Sequence, residues 1–114
     1  MFIVVSRYKV SEGLDSTEVE QLLQLLRKKD AEVSEHEEPG CLEFSVYQDK
    51  EEKDDPRAIL LYERYMSEEA FKAHQQTPQF KVIWKKQVEP HLAMTFSVQV
   101  STRSDEDGDP KRGG

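Results

Sequence analysis

The sequence predicts an α+β fold, with one antiparallel sheet covered on one face by helices. Four stretches alternate apolar and polar residues with a period of two, and the stretches between them repeat apolar residues every three or four positions. The order is β-α-β-β-α-α-β. A helical crossover, a hairpin and a second helical crossover make the split βαβ, ferredoxin-like pattern.

The first strand is Phe2 to Val10, with Phe2, Val4, Tyr8 and Val10 on one face, interrupted by Ser6, and Ile3, Val5, Arg7 and Lys9 on the other. Both faces start apolar, so both are expected to be covered there. After a turn at Gly13, Asp15 is an N-cap with Glu18 in capping-box position. Val19, Leu22, Leu23, Leu26 and Val33 then predict one amphipathic helix from Ser16 to about Glu35, stopped by Pro39-Gly40. The second strand, Cys41 to Gln48, alternates Leu42, Phe44 and Val46 with Glu43, Ser45 and Tyr47. The run DKEEKDDP at 49–56 reads as a solvated hairpin connection. It lacks the glycine and regular oxygen spacing of a calcium loop.

The third strand, Arg57 to Met66, sets Leu60 and Tyr62 against Ile59, Leu61, Glu63 and Tyr65. Ser67 caps a short helix, with Glu68 and Glu69 at its positive end. Pro78 opens a further helix with Phe80, Ile83, Trp84 and Val88 as its apolar stripe. The last strand, Leu92 to Val100, is expected to carry Met94, Phe96, Val98 and Val100 on one face. Residues 101–114 hold no apolar anchor and read as a disordered polar tail, so the folded domain is 1–100.

Composition narrows the function classes. The 114 residues suffice for one domain. Sixteen Lys and Arg against 23 Asp and Glu leave −7, which argues against nucleic acid and against an anionic membrane surface as partners. No apolar run approaches the roughly 20 residues of a membrane span. Met1 to Val5 has no basic stretch before its apolar residues, so no signal peptide is read. One cysteine, Cys41, excludes an intrachain disulfide framework. These features together predict a soluble, cytoplasmic domain. Its strands are apolar on part of both faces, so the sheet face away from the helices is expected to be buried in a two-fold homodimer.

His74 is the main chemical candidate. It follows Phe71 by three and Ala70 by four, on the inward stripe of its helix, and an imidazole there suits general acid or base work. Glu63 sits among Ile59, Leu61 and Tyr65, where a carboxylate is costly unless paired. Its candidate partners are Arg7, Arg64 and His74, the last giving an acid/base couple and the others a structural salt bridge. Tyr47, Tyr62, Tyr65 and Trp84 are either plain core or the wall of a pocket for a flat aromatic ligand. His36 and His91 read as surface residues and Cys41 as a buried, inert thiol. Three scattered histidines make no metal site. No Walker loop, GxGxxG, GxSxG or HExxH motif supports nucleotide, flavin or serine-hydrolase chemistry.

Glu38 to Asp49, EPGCLEFSVYQD, and Leu60 to Phe80, LLYERYMSEEAFKAHQQTPQF, resemble the antibiotic biosynthesis monooxygenase (ABM) domain family. The likeness rests on Pro39-Gly40-Cys41, on Glu63 with Tyr65 two residues later, on Glu69-Ala70-Phe71, and on Ala73-His74. It covers about residues 1–100. It implies a dimeric α/β barrel and, among family activities, cofactor-free oxygenation of quinols and polyketide anthrones. Haem degradation and a quorum-signal-processing isomerase of the LsrG type also occur in the family. In the cofactor-free oxygenases the enzyme removes a phenolic proton and the substrate itself reduces dioxygen. The resemblance would give His74 that deprotonation and Glu63 its orientation. Gln79 stands where many members carry a second histidine, and the first strand lacks the Asn of the haem-degrading branch.

The expected function is therefore a cofactor-independent monooxygenase of a small quinol-like or polyphenolic substrate, with no cofactor and no metal. The alternatives are an isomerase of a small carbonyl metabolite and a non-catalytic, stress-related ligand-binding barrel.

Overall fold

The structure, a computed structural model, describes residues 1–48 and 57–102. The charged run at 49–56 and nearly all of the expected tail lie outside the described residues. Four strands, β1 (Phe2–Val10), β2 (Cys41–Gln48), β3 (Ala58–Tyr65) and β4 (Leu92–Ser101), form one antiparallel sheet in the order β2-β3-β1-β4. The helices are α1 (Ser16–Leu25), α2 (Glu32–Glu37), α3 (Glu68–His74) and α4 (Phe80–Val88). Among the described residues, no helix is long and apolar enough to cross a membrane.

Strands β1 and β3 follow the expected alternation. Phe2, Val4, Ser6, Tyr8 and Val10 are buried under the helices, as are Ile59, Leu61, Glu63 and Tyr65. Two bulges change the outcome on the edge strands. The β2 register shifts between Cys41 and Glu43, so Leu42 is 42% exposed while Cys41 takes the inward position beside Tyr65. The β4 register shifts opposite Arg7 and Tyr8. Met94 consequently pairs with Tyr8 on the helical side, while Phe96, Val98 and Val100 pair with Arg7, Val5 and Ile3 on the other. The expectation of one face shared by all four thus fails at Met94, because one extra residue reverses side-chain parity. β4 also extends one residue beyond the expected end, and Thr102 N–H donates to the Met1 carbonyl at 2.9 Å.

The Asp15 capping box forms as expected, with Glu18 N–H on Asp15 Oδ1 at 2.8 Å and Asp15 N–H on Glu18 Oε1 at 2.9 Å. The single long helix does not. Between α1 and α2 the chain winds as a π-helix over Leu26–Ala31, closed by a bond from Glu32 N–H to the Arg27 carbonyl. The wider turn brings Leu26, Asp30 and Ala31 all inward. The α4 segment is π-wound too and buries Trp84 and Val88. Thr77 Oγ1 accepts from Phe80 N–H at its start.

Gly40 explains the Pro-Gly-Cys turn. A Cβ there would lie 2.5 Å from Ala70 Cβ, and the Gly40 carbonyl accepts from Met66 N–H at 2.9 Å. The absent side chain lets the first turn of α3 press onto the turn before β2. Gly40→Ala is expected to cost about 1–3 kcal/mol by overpacking. Ala70→Gly in the same chain should recover most of it, which urea denaturation of the single and double variants checks.

Candidate functional site

A cavity of about 200 Å³ lies between the sheet and the helices. Its floor is formed by Val4, Ser6 and Tyr8 of β1 and Leu61 and Glu63 of β3. Its helical wall carries Asp30, Phe71, His74, Phe80 and Trp84, and Met94, Ser97 and Gln99 of β4 form a rim. Ser6, the polar interruption in β1, reaches Ser97 hydroxyl to hydroxyl at 3.2 Å.

His74 ends α3 and is 3% exposed. Ser67 caps that helix by accepting from Ala70 N–H at 3.1 Å, and Thr77 Oγ1 donates to the His74 carbonyl at 2.8 Å. Around the imidazole stand Phe44, Tyr65, Phe71 and Phe80, with ring centroids 5.3–6.5 Å away. His74 Nδ1 lies 2.8 Å from Glu38 Oε1. A carboxylate only accepts, so Nδ1 carries the proton and the neutral ring keeps a lone pair on Nε2. Burial lowers the imidazole below its ordinary value, against the opposing pull of Glu38.

Glu38 is thus the residue on the imidazole, and Glu63 is not. Glu63 accepts from the Tyr65 hydroxyl at 2.6 Å. Arg64, another candidate partner for Glu63, instead meets Glu43 at 3.2 Å on the opposite face of the sheet. The second oxygen of Glu38 accepts from Gln79 Nε2 at 3.1 Å, so the glutamine at the second-histidine position fastens the carboxylate. Glu38 was hidden in the run Glu35 to Glu38, which reads as a solvated helix end. One helical turn before it, Glu35 stays exposed but accepts from Phe44 N–H of β2 at 2.9 Å.

Burial pushes Glu63 up to about 7, against the Tyr65 bond, with Asp30 and Glu38 adding to the rise. The Tyr65 hydroxyl is raised far above the ordinary tyrosine range, first by burial and then by Glu63, so it stays a donor. Tyr8 is pushed up to about 12 by burial and by Glu63. Asp30, like Glu38, is a residue that sequence reasoning missed. It is 1% exposed on the π-turn, and burial, with the charge of Glu38, pushes it up to about 7. The signal was present: Asp30 stands four residues after Leu26, on the same inward stripe.

Of the four aromatic candidates, the structure brings Trp84 to the cavity, in edge contact with Tyr8 at 5.5 Å. Tyr65 lies fully buried behind His74. Tyr47 and Tyr62 pair with Leu60 and Ser45 on the opposite sheet face, away from the cavity. His36 is exposed, His91 half-buried, and the Cys41 thiol is pushed up to about 12 by burial. Among the described residues, no three His, Cys, Asp or Glu side chains group to hold a metal ion.

The sequence matches the family model described as antibiotic biosynthesis monooxygenase over residues 1–86. No curated protein matches it. A crystal structure of an antibiotic biosynthesis monooxygenase is 20% identical, with a TM-score of 0.71, covering 90% of this chain and 99% of that one. A protein from Nitrosomonas europaea, described as a candidate member, is 24% identical with a TM-score of 0.70, covering 90% and 98%. A similarly described Deinococcus radiodurans protein is 18% identical with a TM-score of 0.70, covering 90% and 93%. At these identities the likeness is one of fold.

Proposed function

The chain belongs to the antibiotic biosynthesis monooxygenase family, and from that premise we propose that it oxygenates a small, single-ring quinol or polyphenol without a cofactor. One observation carries the reading: a neutral imidazole, held by Glu38 through Nδ1, lines an aromatic-walled cavity. An apolar cavity of about 150 Å³ admits benzene. The space beside His74 therefore suits one substituted ring, and its openness supports a bound ligand over a barrel filled by its own side chains.

His74 Nε2 accepts the proton of a phenolic hydroxyl, and Glu38 stabilises the resulting imidazolium. The electron-rich ring carbon forms a bond to dioxygen and gives a hydroperoxide once a proton returns. Loss of water then leaves a carbonyl at that carbon. The ring supplies all four electrons: one oxygen atom stays on the product and the other leaves as water. Glu63, in the floor of the cavity, is the second proton-carrying group.

Oxygen consumption with 1,4-dihydroxybenzene and related diols tests this. Uptake with water and the hydroxyquinone as products supports it. Conversion of a carbonyl substrate without uptake would favour isomerisation instead.

The working unit is a homodimer. Ile3, Val5, Leu60, Tyr62, Val98 and Val100 share the sheet face that lacks helices, and Val98 and Val100 are 39% and 46% exposed. A two-fold pair burying about 1,600 Å² in total would cover them. Sedimentation equilibrium at micromolar concentration should give twice the 13.3 kDa chain mass. Only the single-chain mass would overturn the dimer.

A further inference from the structure

Asp30 has no part in the chemistry above, yet it is the most anomalous group in the cavity. It lines the helical wall, is 1% exposed, and among the described residues neither carboxyl oxygen has a hydrogen-bond partner. A buried polar group without a partner destabilises a fold, and such groups persist where a ligand supplies the missing bond. The π-turn that carries Asp30 is a rare winding that concentrates at functional sites.

We propose that Asp30 is a substrate-contacting residue, whose carboxyl bonds a second hydroxyl on the ring that His74 deprotonates. This rests on the proposed function, assigns the residue that holds the second hydroxyl, and adds a requirement: the ligand carries no carboxylate or phosphate. A hydroxyl both donates and accepts, so it satisfies the carboxyl in either protonation state. An anion is disfavoured by the charge around the site. Glu38, Glu63 and Glu89 lie at or beside the cavity with Asp30, and the lining lysine, Lys85, is paired with Glu89 at 2.8 Å.

Trp84 is the single tryptophan and lines the same cavity, so its indole N–H resonance reports occupancy without turnover. The probes are 1,4-dihydroxybenzene, phenol and 4-hydroxybenzoate, titrated anaerobically into the full chain. The diol should bind wild type about 10- to 100-fold more tightly than phenol, the worth of one hydrogen bond to a charged group. The benzoate should bind most weakly. Asp30→Leu should remove the preference for the diol over phenol while raising the melting temperature at pH 8. Asp30→Asn, which keeps hydrogen-bonding capacity, should retain part of the preference and guards against misfolding of the leucine variant. An unchanged preference in both variants, or a lower melting temperature in both, would overturn the assignment and leave the oxygenase reading intact. A diol that binds with the expected preference but consumes no oxygen would overturn the oxygenase reading alone. A wild type that binds neither diol nor phenol would overturn both.

Discussion

His74→Ala should lower oxygen consumption with a bound diol by about 10²- to 10⁴-fold, the usual worth of one acid/base group. That corresponds to roughly 3–5 kcal/mol of barrier. The imidazole lines the cavity, its Nδ1 is committed to Glu38 at 2.8 Å, and burial keeps it neutral near pH 7. Below the imidazole's own value the base is protonated and the rate falls. That value is lowered, so the acid limb of the pH profile should lie below the ordinary 6.5. Glu38→Gln removes the anion that pulls the value up, so it should move the limb further down while lowering the plateau. A purely structural role for Glu38 would reduce stability without moving the limb. Equal rates in wild type and His74→Ala, both folded by circular dichroism, would remove the histidine from the mechanism.

The contrast between His74 and Glu63 shows what one chain discloses about its own site. Helical spacing from Ala70 and Phe71 was enough to turn His74 inward, and strand parity was enough to bury Glu63 with Ile59, Leu61 and Tyr65. The same parity separates Tyr62 from Glu63, its neighbour, so the opposite placement of Tyr62 was legible though not used. Partnerships were not legible, because they depend on where distant segments meet. Glu38 reaches His74 across 36 positions of sequence and Gln79 across 41. The bulges in β2 and β4 likewise depend on pairing with β3 and β1, and they reverse Leu42 and Met94, which simple alternation places wrongly. The π-turn between α1 and α2 is a third such case. Periodicity located the inward stripe, but a carboxylate on that stripe reads as an error in the pattern unless the cavity it faces is known.

The buried carboxyls should give this protein an unusual pH dependence of stability. Asp30 and Glu63 are raised from ordinary values of 3.8 and 4.5 to about 7 each, chiefly by burial, and the charge of Asp30 adds to the rise of Glu63. Between about pH 4 and pH 7 the folded chain holds protons that the unfolded chain has released. Linkage then requires stability to fall as pH rises through that window, with the loss complete above about 7. His74 acts in the opposite sense: its value is lowered, so its contribution improves as pH rises towards 6.5. Surface acids add a background of their own. The comparison that isolates Asp30 is therefore the difference between Asp30→Asn and wild type at two pH values. At pH 8 the substitution removes a charge held in an apolar wall, and should stabilise by about 2–4 kcal/mol, the cost of ionising a carboxyl that burial has raised from 3.8 to about 7. At pH 4.5 both side chains are uncharged in the folded state and only the unfolded aspartate ionises, so the difference should shrink to about 1 kcal/mol. Urea denaturation of the ligand-free protein at both pH values measures it. A gain of the same size at pH 4.5 and pH 8 would mean that Asp30 titrates as an ordinary carboxylate, with a charge partner or solvent that the geometry of the π-turn denies it.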